Sequence, residues 1–276
     1  MDLQTSEIID YYTLHYREDH RLAGRPQARL EWIRTMECLR DLLPGPGARV
    51  LDIGGGPGEY ARALAAAGYQ VRLVDLVPAH VAQARAGQPP IEAEVADARS
   101  LPDATDTHDA ALLLGPLYHL VRRADRIRAL REAARVTRPG GRVVAAAISR
   151  FAKPLDFAAT GRLDETTLAE ARTLLTDGTN DPTTGFTHAY FHRAEEIADE
   201  CLVAGLTDVV VHGVEGPAWT AAEAAAGGPA QDVVFAGALH LARLYSSEPA
   251  LVATSAHLLA AGRVPAVAAV RRSGDG

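Results

Sequence analysis

Asp52, Gly54, Gly55, Gly56, Gly58 and Asp75 are the residues of this chain whose types and spacing suit shared chemistry. They fall in RVLDIGGGPGEYARALAAAGYQVRLVD, residues 49–75: an apolar run closing on Asp52, a glycine turn, an Ala-rich amphipathic segment, and a second apolar run closing on Asp75. That order is strand, turn, helix, strand, a βαβ unit. A backbone that must turn sharply and let a ligand lie against it needs residues without Cβ, and the glycines supply them. An acidic residue ending the second strand stands where its carboxylate can accept hydrogen bonds from a ribose diol. The stretch reads as a nucleoside site.

A glycine turn alone does not say which nucleoside. The dinucleotide fingerprint G-x-G-x-x-G needs glycine at position 59, and this chain has Glu59. A carboxylate there repels a pyrophosphate seated on the helix N-terminus and tolerates a ligand without phosphates.

The elements that must position these residues follow from periodicity. Residues 3–20 carry Leu3, Ile8, Ile9, Tyr12, Leu14 and Tyr16 at helical spacing, and Tyr11, Tyr12, His15 and Tyr16 crowd one short segment. That segment is either a docking helix or a lid over a ligand, with Tyr16 set against it. A second helix is expected over 27–43, stopped by Pro44-Gly45-Pro46-Gly47. After the βαβ unit, Pro78 opens a helix through Ala86, IEAEVAD and DAALLLG read as strands, and residues 122–137 read as a helix. Arg138-Pro139-Gly140-Gly141 reads as a turn into the strand RVVAAAIS. Five strands apolar on both faces and alternating with helices predict a parallel sheet covered on both sides. Beyond residue 150 the pattern weakens: a helix over 164–176, loop chemistry in DGTNDPTTGF, a helix over 193–202, the strand TDVVVHGVEG, and mostly helix over 219–254 with a break at 227–229. HLLAAGR at 257–263 is the preferred last strand over PAVAAV at 265–270.

Length and composition bound the rest. A chain of 276 residues suits one large α/β core with additions. The net charge of −7 gives no basic field for nucleic acid. Arg122, Arg123, Arg126, Arg128 and Arg131 cluster, but with Asp125 and Glu132 interspersed they read as a solvated helix face. Cys38 and Cys201 lie in apolar helical patterns and read as buried thiols. No leader and no apolar span of membrane length is found, so the expectation is a soluble cytoplasmic protein.

Four motifs in order carry a family resemblance: VLDIGGGPG (50–58), VRLVD (71–75), VADARSLP (95–102), and the pair DAALLLGPLYHL (109–120) with RVTRPGGRVVAA (135–146). Together they resemble the class I S-adenosylmethionine-dependent methyltransferases. The resemblance implies a doubly wound, Rossmann-like, seven-stranded, mostly parallel sheet, with an N-terminal helical lid (1–44), a cofactor-binding core (45–150), a substrate-side insertion (151–192) and a C-terminal part of the core with a helical insertion (193–276). It implies S-adenosyl-L-methionine as methyl donor and S-adenosyl-L-homocysteine as product. The backbone at Gly54, Gly55, Gly56 and Gly58 would approach the methionine moiety, with Asp52 near its amino group and Leu114 and Gly115 beside it. Asp75 would bind the ribose hydroxyls, Leu76 would pack on adenine, and Asp97 with Ala98 would meet its edge.

Methyl transfer from a sulfonium is an in-line displacement that needs positioning and, for a weakly nucleophilic acceptor, a base. Tyr118 and His119 follow the fourth strand at the ligand-binding edge, and His188 and His192 end the insertion, so these are the candidate catalytic residues. No metal-ligand spacing is found and none is expected. Methyltransferases acting on exocyclic amines of nucleobases or on protein glutamine carry an Asn/Asp-Pro-Pro-Tyr/Phe tetrapeptide after the fourth strand. Here it is Gly115-Pro116-Leu117-Tyr118, which favours a small-molecule acceptor, in a monomer or homodimer, without nucleic-acid or membrane partners. The competing readings are a nicotinamide-dependent oxidoreductase, disfavoured by Glu59, and a non-catalytic cofactor-binding partner.

Overall fold

The computed structural model describes Ile9, Tyr11, Tyr12 and residues 24–180 and 187–266. Apart from those first three residues, the helix expected over 3–20, Tyr16 included, lies outside the described residues. A helix α1 (Pro26–Leu42) leads into β1 (Arg49–Ile53), α2 (Glu59–Ala66), β2 (Gln70–Asp75), α3 (Pro78–Ala86) and β3 (Glu92–Val95). The chain then returns through β4 (His108–Leu113), a single turn α4 (Pro116–His119), α5 (Arg123–Val136) and β5 (Thr137–Ser149). The later part holds α6 (Ala152–Ala159), α7 (Glu165–Asp177), β6 (Thr179–Asn180), β7 (Ala189–His192), α8 (Ala194–Val203), β8 (Thr207–Gly213), α9 (Trp219–Ala224), α10 (Gln231–Leu244) and β9 (His257–Arg263).

Seven strands make the main sheet in the order β3-β2-β1-β4-β5-β9-β8. The first five are mutually parallel, and β9 runs antiparallel to both its neighbours. Alternation within each strand divides the core between the two faces. Leu51, Ile53, Ala111, Leu113, Val143, Ala145, Leu258 and Ala260 pack on one face, under Leu130 and Ala133 of α5 and Ile197 and Cys201 of α8. Val50, Ala110, Leu112, Val144, Ala146, Leu259 and Ala261 pack on the other, under Cys38 and Leu39 of α1 and Leu64 of α2. Both faces are dry, which is why these strands read as unbroken apolar runs.

Four local expectations are corrected. Arg138–Gly141 is not a turn before the strand but lies within β5; a register shift opposite β4 and a positive φ of 79° at Gly140 absorb the glycines as an irregularity of the strand. Residues 152–159, where the pattern weakens and no element is expected, are helical; Pro154 falls in the first turn, where its missing N–H has no partner to lose. The insertion also forms a short hairpin, β6 with β7, and β7 pairs with Ile148 and Ser149 of β5 beyond the point where β4 ends. Finally, Arg126 is not on a solvated face. It is 2 % exposed, and its guanidinium forks onto Glu200 with N–O distances of 2.7–3.1 Å while its remaining nitrogen donates to the Leu120 and Val121 carbonyls. Tyr190 lies flat beneath it, 3.8 Å from ring centroid to guanidinium carbon. This pair joins α5 to α8 and ties down the chain just after α4, where the candidate site ends.

Removing one partner of such a pair leaves the other charge buried and uncompensated. Glu200→Ala is expected to cost about 3–5 kcal/mol of unfolding free energy in urea titrations, whereas replacing both Arg126 and Glu200 by leucine or methionine costs much less. Equal losses in the single and double variants would show that the pair itself, rather than the stranded charge, carries the stability.

Candidate functional site

In an open sheet of this order the direction in which successive strands are added reverses between β1 and β4, and the crevice beyond their carboxyl ends is where ligands bind. A cleft of about 1120 Å³, its open mouth included, lies there. Asp52, Gly54, Gly55, Gly56, Asp75, Leu76, Asp97, Ala98, Leu114, Gly115, Tyr118 and His119 all line it, so residues from the ends of four successive parallel strands converge. Gly58 stands just behind the wall, capping α2 at a φ of 92°.

The glycine turn is fixed by its own amides. Gly54 N–H donates to the Val74 carbonyl at 2.7 Å, and Gly56 N–H donates to Asp75 Oδ2 at 2.8 Å. Asp75 Oδ1 accepts from Val77 N–H at 2.8 Å and lies 3.2 Å from His80 Nδ1. The amides of Gly54 and Gly56 are thus taken up by β2 and its Asp75 and are not themselves left for a ligand. What the turn offers is close approach. A Cβ at Gly54, where φ is 68°, would come within 2.8 Å of Pro116, and one at Gly55 within 2.5 Å of Asp52 Oδ2. Glu59 lines the cleft but is paired with Arg62, so the repulsion expected of it is partly neutralised.

Asp52 is the electrostatic anomaly. It is 1 % exposed, lines the cleft, and neither carboxylate oxygen has a hydrogen-bond partner among the described residues. Burial, with the Asp75 charge as a second cause, pushes its pKa up from 3.8 to about 7. Buried acceptors without donors are costly, and a positively charged donor in the cleft satisfies them. The ammonium of an amino acid is such a group. Together with the side-chain-free turn and the Asp75 carboxylate, these residues fit a nucleoside joined to an amino acid.

Asp97, Ala98, Leu76 and Val77 all line the cleft. Asp97 also takes a bidentate ion pair from Arg99, at 2.7–3.1 Å, and accepts Arg99 N–H at 2.8 Å, so it braces the loop after β3.

The candidate bases separate sharply. His119 is in the cleft, 7 % exposed, with Nε2 2.8 Å from the Tyr12 hydroxyl. Burial pulls its pKa down to about 4, outweighing the His188 backbone and the Asp75 charge, which act the other way. Holding a proton there at pH 7 costs roughly 4 kcal/mol, so the ring is neutral. Tyr12 packs edge-on against both His119 and His80, each 5.4 Å between centroids. His188 and His192 are not in the cleft wall. His192 is fully buried 3.4 Å from Glu200, inside the Arg126 network, and burial lowers its pKa. Val77, His80 and Tyr60 join the wall without having been singled out from sequence, their only signal being position two to five residues past a motif, and Leu120, the last residue of the motif at 109–120, joins it as well.

Residues 50–141 match the family model described as a methyltransferase domain. An uncharacterized methyltransferase of Mycobacterium tuberculosis is 37 % identical over 107 residues, which are 39 % of this chain and 42 % of the relative. An O-methyltransferase of Pyrenophora dematioidea is 30 % identical over 153 residues, 51 % of this chain and 55 % of the relative. The chain thus spans about half the length of these curated relatives. Among solved structures, a SAM-dependent methyltransferase from Methanosarcina mazei superposes with a TM-score of 0.56 at 18 % identity, covering 83 % of this chain and 98 % of its own. That likeness is one of fold.

The raised Asp52 pKa has a signed consequence. Between pH 3.8 and about 7 the unfolded chain releases this proton and the folded chain keeps it, so the group's contribution to stability falls as pH rises and reaches its full cost above 7. Asp52→Asn is therefore expected to stabilise the free protein by a few kcal/mol at pH 8 and to change it little at pH 4, measured by urea unfolding. The same stability difference at both pH values would mean that Asp52 is not a buried, isolated carboxyl.

Proposed function

We propose that this chain, a member of the class I S-adenosylmethionine-dependent methyltransferase family, transfers the methyl group of S-adenosyl-L-methionine to an O, N or C atom of a small-molecule acceptor, most simply a specialised metabolite. The observation that carries the reading is the pairing of an unsatisfied, buried Asp52 with a strand-end Asp75 across a glycine turn whose Gly54 and Gly56 amides are taken up within the fold. When bound, the donor supplies a sulfonium whose methyl carbon is open to in-line attack.

The roles follow from geometry. Asp52 would receive the amino group of the methionine moiety, directly or through water, and Asp75 would add the ribose hydroxyls to the two amides it already holds, since a carboxylate has about four acceptor positions. Leu76, Val77 and Ala98 would sandwich the adenine, with Asp97 at its edge. Gly54, Gly55, Gly56 and Gly115 would let the backbone lie along the methionine chain, and Leu114 would close it off. Gly58 would set the start of α2 behind the turn. His119, neutral and bonded to Tyr12, would hold the N-terminal segment over the cleft, and Tyr118 would face the acceptor. His192 would act at a distance by packing, and His188 through its backbone beside His119. The reading takes no metal into this chemistry.

The organisation that goes with it is a lid in residues 1–44, a donor-binding core in 45–150, an acceptor-side insertion in 151–192 and a C-terminal completion of the sheet in 193–276. Among the described residues no helix is long and apolar enough to cross a membrane. Together with the net charge of −7, this favours a cytoplasmic protein acting on dissolved acceptors rather than on nucleic acid, as a monomer or homodimer.

Calorimetric titration is expected to show S-adenosylhomocysteine binding and no comparable binding of NADH. Tight binding of NADH alone would replace this reading with a nicotinamide enzyme, and donor binding without turnover across a broad acceptor panel would favour a non-catalytic partner. At pH 6, S-adenosylhomocysteine binding should release a proton from Asp52, seen as a buffer-dependent binding enthalpy. Asp75→Ala should weaken binding by about 1–3 kcal/mol; a folded variant with unchanged affinity would remove Asp75 from the site.

A further inference from the structure

His80 lines the cleft five residues past Asp75, in the first turn of α3, and is 6 % exposed. Its Nδ1 lies 3.2 Å from Asp75 Oδ1. Asp75 takes a backbone N–H at each of its oxygens, and a carboxylate in that role only accepts, so the proton of the His80 contact belongs to Nδ1. In the neutral ring this leaves a lone pair on Nε2, across the ring from Asp75. Nε2 makes no hydrogen bond among the described residues, and it is not one of their sealed, unsatisfied polar atoms. It is therefore a reachable acceptor on a residue of the cleft wall.

The hydrogen bonds of Asp75 say what such an acceptor is for. Oδ1 receives Val77 N–H at 2.8 Å and His80 Nδ1–H, and Oδ2 receives Gly56 N–H at 2.8 Å. These three donors fill all but one of the about four acceptor positions of the carboxylate, and the open one is on Oδ2. A ribose diol brings two hydroxyls. Counting His80 beside the two amides narrows the share of Asp75 to one of them, and the other needs a further acceptor nearby. Leu76 and Val77 have only aliphatic side chains, and both Asp97 oxygens are already taken by Arg99. His80 Nε2 is the acceptor that the same segment supplies. Its ring is set in advance: turning the imidazole over would break the Asp75 contact, and Tyr12 packs edge-on against it, 5.4 Å between centroids.

We propose that His80 is a donor-binding residue: its Nε2 accepts a hydrogen bond from one ribose hydroxyl of S-adenosyl-L-methionine, while its Nδ1–H holds Asp75 with the open position of Oδ2 left for the other. This rests on the methyl-transfer reading above. The diol is then read as a pair, one hydroxyl by the end of β2 and one by the first turn of α3. A nucleoside that lacks either hydroxyl leaves one of two fixed acceptors unsatisfied, which is how a polar site rejects a ligand with one group missing. The two histidines that Tyr12 touches divide their work: His119 spends its Nε2 on the Tyr12 hydroxyl, and His80 keeps its own for the ligand.

The test uses the full chain with S-adenosylhomocysteine and its 2′-deoxy and 3′-deoxy analogues, titrated calorimetrically at pH 8. His80→Asn keeps an amide donor toward Asp75 and removes Nε2. It should weaken S-adenosylhomocysteine binding by about three- to tenfold. One deoxy analogue should bind the native chain and the variant equally, because the hydroxyl that uses Nε2 is missing from it, and the other should lose the same factor as S-adenosylhomocysteine. Nitrogen-detected NMR of the native histidine rings makes the test independent of the variant's folding. His80 should be the Nδ1–H tautomer, and its Nε2 signal should move to the hydrogen-bonded range with S-adenosylhomocysteine and with only one of the two analogues. Equal losses for all three ligands in His80→Asn, an Nε2 signal indifferent to which hydroxyl is present, or an Nε2–H tautomer would overturn the proposal and leave His80 a brace for Asp75. Failure of the native chain to bind S-adenosylhomocysteine would instead sink the donor reading, so the two failures are distinguishable.

Discussion

The carboxylate of Asp75 holds together the two strand ends from which the site is built. It takes the amide of Gly56 from the turn after β1 and the amide of Val77 from the turn after β2, and so fixes the distance between two backbones that have no covalent reason to stay in register. Hydrogen bonds to an ionised acceptor are worth roughly twice a neutral pair, and these two are buried. With the Gly54 amide held by the Val74 carbonyl and the Gly56 amide by Asp75, the turn presents bare Cα surface to the cleft. The close approach that the turn allows depends in part on this one carboxylate.

Asp52 and Asp75 stand at equivalent strand ends yet carry opposite accounts of their charge. Asp75 is solvated by backbone amides; Asp52, one strand over, receives none among the described residues and is pushed toward its neutral form. The contrast separates a structural carboxylate from one held ready for a ligand cation. Strain of this kind is expected at a functional site, where stability is given up for binding. Glu215 supplies a third case: a fully buried carboxylate whose oxygens are all bonded, and whose charge is directed at one histidine.

Much of the core was legible in the sequence because its physics is local. A strand dry on both faces must be apolar throughout, and a turn that presses backbone against Pro116 or Asp52 must lack side chains, so β1, β4, β5 and Gly54–Gly56 carry their roles in their own residues. Arg126 misled for the opposite reason. Its neighbours Arg122, Arg123, Arg128 and Arg131 are exposed, and only the partner Glu200, 74 positions on, makes its burial tolerable. Nothing in a local charge pattern distinguishes it.

The histidines show the same division between local and distant signals. His119 stands beside a motif and was easy to nominate, yet the burial that brings it to the cleft also removes its basicity. His257 has no motif around it; it opens an apolar strand and gains significance only when β9 is laid against β5 and the turn after β8 brings Glu215 to its Nδ1. A contact between such distant parts of the chain leaves no trace in any short segment, so the residues at consecutive strand ends can be read from their motifs while this pair can be read only from the assembled sheet.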